Sequence, residues 1–316
     1  MRPFVKLSIL FSIVLGSLIF ILITSSEYII QKNADFKLKP NTKYLLLGHS
    51  HPECAFNDTL INNFKNLAQS GETYFYTLFK AKKILEQNPS IETVFIEFTN
   101  EQINKSIDTN IWNDKYINWR YPQYSPFMNF TDKMVLVENN LSGYLNATSL
   151  SFKNNFGRVL KQDFSYPESI GGYLYLKRNK TDSLLKTQKV KTIKETKPQI
   201  SEVNLNYLSK LIRLCKAQGK NVFLIRSPQH KKYAGYSNEN TYQNLRKSRY
   251  TSIGYLDFSK FPLHNSQFGD LEHLNHKGAT IFSNWFAQLI KSGLLEEKNK
   301  QALIDKNIAA RRRNSI

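Results

Sequence analysis

Five short, mostly apolar runs with helical patterns between them constrain the fold more than any other feature of this chain. They are residues 43–47 (KYLLL), 65–68 (KNLA), 93–98 (TVFIEF), 221–225 (NVFLI) and 254–258 (GYLDF). Each is too short for a core helix. A strand with one wet face alternates apolar and polar residues, so a continuous apolar run needs cover on both faces. Helical spacing of apolar residues falls at 58–64, 73–86, 203–217 and 278–290. Strands alternating with helices in this way predict an α/β fold, a doubly wound and mostly parallel sheet in three layers. Reactive groups in such sheets collect in the loops at the carboxyl ends of the strands.

Residues 7–26 carry no charged side chain. Twenty helical residues reach ~30 Å, the thickness of a bilayer's hydrocarbon core. Arg2 and Lys6 precede this stretch, a charge pattern that holds an N-terminus in the cytoplasm. The expectation is a single-pass anchor in the cytoplasmic membrane with everything after Glu27 outside it. A cleaved signal peptide is the rival, but the stretch is long for one and no A-x-A site follows. The mean hydropathy of −0.44 excludes a polytopic membrane protein. The expected organisation is an anchor (1–26), a polar stalk (27–40), an α/β domain (41–293) interrupted by a weakly periodic insertion (100–198), and a disordered basic polar tail (294–316). A net charge of +19 favours anionic partners such as acidic glycans or anionic lipid; solvated lysines are the alternative. An extracytoplasmic address removes nucleic acid from the partners.

Four loops carry candidate chemistry. Gly48-His49-Ser50-His51 follows the first run and sets a serine hydroxyl at a strand end, where it needs a base to become a nucleophile. Gly269-Asp270-Leu271-Glu272-His273-Leu274-Asn275 precedes the last helix, and a carboxylate three positions before an imidazole can hold its tautomer. Asn66 to Gly71 and Phe98-Thr99-Asn100 follow the second and third runs, where a glycine N–H and an amide can donate to a developing oxyanion. His230 follows the fourth run and, with His49, is a candidate substrate contact. Singly, each is an ordinary turn or cap. The two cysteines, Cys54 and Cys215, form no C-x-x-C motif, and His49 and His51 have no matching third ligand in sequence. Neither a metal nor a cofactor is expected.

The order of these blocks resembles that of the SGNH (GDSL-like) hydrolase superfamily. The segment DLEHLNHKGATIFSNWF is similar to the D-x-x-H-L-N-x-x-G-A-x-x-F-S ending of membrane-tethered members linked to cell-surface glycans. The resemblance implies Ser50 as nucleophile, His273 as base and Asp270 as its orienting acid. It implies an oxyanion hole from the Ser50 N–H, the Gly71 N–H and the Asn100 side chain. Two blocks depart from the pattern: G-D-S reads Gly48-His49-Ser50, and G-x-N-D reads Phe98-Thr99-Asn100-Glu101. The implied activity is that of an esterase or O-acyltransferase, with acetyl the expected group, on an acylated or acyl-accepting extracytoplasmic polysaccharide. An inactive glycan-binding or assembly component and a lipid esterase at the membrane surface stay open at this point.

Overall fold

The structure is a computed structural model describing residues 2–187 and 197–313. Part of the expected insertion, 188–196, and the end of the tail, 314–316, lie outside the described residues. In chain order the elements are α1 (Arg2–Asn33), β1 (Tyr44–Leu47), α2 (Ser50–Ala55), β2 (Phe64–Asn66), α3 (Tyr74–Gln87), β3 (Thr93–Glu97), α4 (Thr109–Trp112), α5 (Asp114–Tyr124), α6 (Phe130–Asn139), α7 (Leu141–Lys161), α8 (Thr181–Thr187), α9 (Glu202–Ala217), β4 (Asn221–Arg226), α10 (Glu239–Arg249), β5 (Gly254–Asp257), α11 (His276–Lys291) and α12 (Lys300–Arg313). The chain divides into two compact units: residues 1–35 with 112–166, and residues 36–111 with 167–316.

The larger unit is an α/β domain. Its five strands run in the order β2-β1-β3-β4-β5, and every neighbouring pair is parallel. The chain winds outward from β1 to β2, then returns across β1 to β3 and continues the other way. This reversal opens a crevice at the carboxyl ends of β1 and β3, where ligands of such sheets bind. Parallel pairing explains the continuous apolar runs: Leu45, Leu46 and Leu47 are buried, as are Val94, Phe95 and Ile96.

One face of the sheet is sealed by aromatic packing. Phe56, Phe64, Phe95, Phe258, Phe282 and Phe286 form one buried cluster with Leu46 and Ile225. Their rings meet edge-on or offset, as Phe56 and Phe286 do at 5.1 Å, the geometry the ring quadrupole favours. The helix α11 supplies Phe282, Trp285, Phe286 and Leu289 to this core from one stripe. The helices α3 and α9 pack on each other through Phe75 and Tyr207, 4.7 Å apart.

Three expectations change. Residues 58–64 form a single 3-10 turn, Asp58–Leu60, rather than a helix. Asn63 adopts a left-handed conformation, φ 57°, and its carbonyl accepts the N–H groups of Lys43 and Tyr44, which turns the chain into β2. The tail read as disordered contains α12, because Ile304 and Ile308 are buried in the aromatic core and Gln301 accepts the Asp257 N–H at 2.8 Å. The stalk expected over 27–40 starts as helix: α1 continues to Asn33, with Ile30 fully buried and Glu27 paired to Lys133 at 2.8 Å. Cys54 and Cys215 are both free and buried.

The smaller unit joins α1 to α5, α6 and α7. Over Pro3–Asn33, α1 is long and apolar enough to cross a membrane, with a mean hydropathy of 2.7 in its most apolar window and none of that window buried.

Candidate active site

All the residues singled out in the sequence belong to the α/β domain. Ser50 opens α2 directly after β1. Glycine is required two residues earlier: a Cβ on Gly48 would stand 2.7 Å from the Glu97 Cβ and 2.8 Å from the Pro52 ring. This close approach turns the chain at the sheet rim and sets Ser50 over the β1/β3 crevice.

The loop between β5 and α11 is closed on itself. Phe268 and Leu274 form an antiparallel bridge, and the Gly269 N–H donates to the His273 carbonyl at 2.8 Å. Asn275 caps α11 by accepting from the Lys277 and Gly278 N–H groups. Its amide donates in turn to the Ser266 and Phe268 carbonyls. The asparagine of the H-L-N block therefore locks the loop bearing Asp270 and His273.

The His273 Nε2 lies 2.8 Å from the Ser50 Oγ, across 223 positions of sequence. The His273 Nδ1 lies 2.9 and 3.1 Å from the two Asp270 carboxylate oxygens. Asp270 also accepts the backbone N–H groups of Glu272 and His273, each at 2.8 Å, and an Arg178 N–H. Partial burial opposes ionisation of Asp270, but the bonds from His273 and the two backbone N–H groups outweigh it and hold the carboxyl well below its ordinary range.

Arg178 was not legible in sequence, because it stands in a segment without periodicity. It is carried by a strap, residues 171–180, that crosses the rim through backbone hydrogen bonds. The Gly172 and Leu174 N–H groups donate to the Ala68 and Glu53 carbonyls, and the Lys180 N–H donates to Gly269. Gly171 sits where a Cβ would meet the Ala68 carbonyl at 2.5 Å, so only glycine lets the strap lie this close.

The two loop residues expected to join Ser50 in an oxyanion hole differ in their settings. Gly71 has φ 69° in a turn closed by the Glu72 N–H to the Gln69 carbonyl. Asn100, expected as a donor, is turned elsewhere. Its amide donates to Asn238 and Glu239, each at 2.9 Å, and its carbonyl accepts from Arg226 at 3.1 Å. Arg226 is itself forked onto Asp257 at 3.1 and 2.6 Å. Asn100 is thus a fully buried member of a polar network under β4 and β5.

His49 and His51 flank Ser50 but are buried, and His49 meets polar side chains. Its Nε2 lies 3.2 Å from both the Thr99 hydroxyl and a Glu97 carboxylate oxygen. Burial first, and the nearby His273 second, lower its pKa to about 3. Burial raises Glu97 well above the ordinary carboxyl range, so burial drives both members of the pair toward their uncharged forms. Glu97 was hidden in the sequence as the polar member of an apolar strand. The Gln229 amide meets the His51 Nδ1 at 2.9 Å, and the His51 ring lies 5.3 Å from that of His273. His230 lines a separate cavity of about 560 Å³ with Arg226, Phe261 and Phe268.

Among the described residues, two trios bring metal-type donors within 4.8 Å of one another: His49, His51 and Glu101, and His51, Glu272 and His273. Both need His51, one of whose nitrogens is engaged by Gln229. The second also needs His273, whose nitrogens face Ser50 and Asp270.

A family model that carries no description matches residues 174–295, less than half of the chain. No curated protein matches the sequence. Among solved structures, the chain is similar to a candidate acylhydrolase from Bacteroides fragilis, at 12% identity and a TM-score of 0.36, covering 83% of this chain and 93% of that one. It is also similar to a GDSL-like lipase from Bacteroides thetaiotaomicron, at 12% identity and a TM-score of 0.35, covering 86% and 99% of the two chains.

Proposed function

We propose that this protein is a serine esterase or O-acyltransferase of the SGNH type, anchored by α1 and acting on an acylated extracytoplasmic glycan. The observation that carries the reading is the 2.8 Å contact between the Ser50 Oγ and the His273 Nε2, with the other ring nitrogen on Asp270. A hydroxyl, an imidazole and a carboxylate in this series can run acyl transfer.

In this reading Asp270 accepts a hydrogen bond from the Nδ1–H of His273, leaving Nε2 as the base. The Ser50 Oγ gives its proton to Nε2 as it attacks the ester carbonyl. The oxyanion of the tetrahedral intermediate is held by the backbone N–H groups of Ser50 and Gly71, Asn100 being committed to Arg226, Asn238 and Glu239. His273 then passes its proton to the departing alkoxide, leaving an acyl-Ser50 ester. Water or a sugar hydroxyl gives a proton to Nε2 and attacks this ester. Release of the acid or of the new ester returns the proton to the Ser50 Oγ. The neutral His49–Glu97 pair beneath the nucleophile adds no net charge to compete with the developing oxyanion. The net charge of +19 favours an acidic glycan.

The test uses the full chain in detergent and a fluorophosphonate, which reacts with activated serines. The wild type is expected to label, and Ser50→Ala and His273→Ala are not. Hydrolysis of an aryl acetate should be lost in the same two variants. A folded wild type that neither labels nor hydrolyses would leave the domain as a binding or assembly component.

A further inference from the structure

The helix α7 is built inside out for a water-soluble unit. The positions it buries are Gly143, Ala147, Ser151 and Asn155, all small or polar. Its large apolar residues face outward: Leu141 is 55% exposed, Leu145 58% and Leu160 70%, with Phe156 exposed as well. On a helical wheel these four fall within one arc, on the side away from the buried residues. Phe130 at the start of α6 is 78% exposed in the same unit. Monomeric soluble proteins rarely leave such a contiguous patch to water.

Two observations say what covers it. The unit contains α1, the membrane-spanning candidate, whose apolar residues from Phe4 to Leu22 are largely exposed. The end of α1 packs into this unit through the Glu27–Lys133 ion pair and the Asp35 N–H bond to the Phe164 carbonyl. In addition, α7 carries Lys153, Arg158 and Lys161 and no acidic residue. Lys153 borders the apolar arc, and a helix with one apolar face, a basic residue beside it and no acidic residue is suited to the headgroup region of an anionic bilayer. Small residues on the packed face let α7 approach its neighbouring helix closely, as in membrane helix pairs.

We propose that α7 is an interfacial helix. It lies along the surface of the bilayer that α1 crosses, with Leu141, Leu145, Phe156 and Leu160 at the acyl boundary and Lys153 toward anionic headgroups. The smaller unit is then a two-helix membrane platform, one helix through the bilayer and one along it. The proposal rests on the reading of α1 as a membrane helix.

The test reconstitutes the full chain into phosphatidylcholine/phosphatidylglycerol vesicles with single cysteines bearing bimane, the native Cys54 and Cys215 being buried. Leu18→Cys reports on α1, Leu145→Cys and Phe156→Cys on the outward face, and Asn154→Cys on the opposite side of α7. Shallow doxyl-lipids should quench the labels at 145 and 156 roughly threefold more than the label at 154, the contrast expected of a helix buried on one side. Equal quenching at 145, 154 and 156 would overturn the proposal, as would efficient disulfide cross-linking between copies of the unlabelled Leu145→Cys variant. Loss of quenching at Leu18 alone would instead remove the anchor on which the proposal rests.

Discussion

The neutral pair beneath Ser50 makes a sharp prediction about acid stability. His49 has its pKa lowered to about 3 by burial and by His273, against about 6.5 in an unfolded chain. Below pH 6.5 the unfolded chain therefore takes up a proton that the native state refuses. Stability is lost as pH falls from 6.5 toward 3, and it is fully retained above 6.5. At pH 4.5 the unfolded state has gained two pH units of protonation, worth about 2.7 kcal/mol. That is a large share of the ~5–15 kcal/mol available to a typical domain. The perturbation is His49→Gln, which keeps a polar group beside Thr99 but cannot titrate. Urea unfolding of both proteins, followed by circular dichroism at pH 7.5 and 4.5, gives the difference between them and cancels the titrating groups that residue 49 does not touch. The variant's deficit at pH 7.5 should shrink by about 2.7 kcal/mol at pH 4.5. An imidazolium–carboxylate ion pair with Glu97 predicts the opposite, a deficit that does not shrink on acidification, and that result would refute the reasoning.

Three further outcomes follow from the same structure. Asp270→Asn replaces the acceptor of the His273 Nδ1 proton and should slow fluorophosphonate labelling by roughly 10³–10⁴-fold, with circular dichroism unchanged. Arg226→Met leaves Asp257 and Glu239 without their cation; chemical denaturation should show a loss of about 3–5 kcal/mol. Phe286→Ala empties the meeting point of Phe56, Phe95 and Phe258 and should cost about 3–5 kcal/mol in the same assay.

The strands were legible because burial on both faces leaves an apolar run that survives in one dimension. Residues 93–98 and 221–225 fall within a residue of β3 and β4 at each boundary. The stripe at 58–64 misled because periodicity does not register a single left-handed residue, Asn63. The tail was read from its charge, yet two isoleucines four apart, Ile304 and Ile308, are enough to seat a helix on the core. The position of Asn100 at a strand end was visible, but its partners were not. Arg226 and Glu239 reach it from 126 and 139 positions away, and nothing local announces that both of its N–H groups are taken. Arg178 and Glu97 escaped for related reasons, one in an unpatterned segment and the other inside an apolar one. The outward apolar face of α7 was hidden because amphipathicity reads the same whichever side meets the protein.

The closed loop from Phe268 to Asn275 has a consequence for how such a centre tolerates change. Asp270 and His273 travel on one turn closed on itself, so their mutual alignment is a local property of eight residues. Assembly of the centre then depends on a single tertiary separation, that between this turn and the rim serine. Lengthening the polypeptide within residues 112–166, outside the strap that carries Arg178, leaves that separation untouched, provided the parallel register holds. The chain can accordingly carry a whole helical unit in that interval and keep its reactive groups in line.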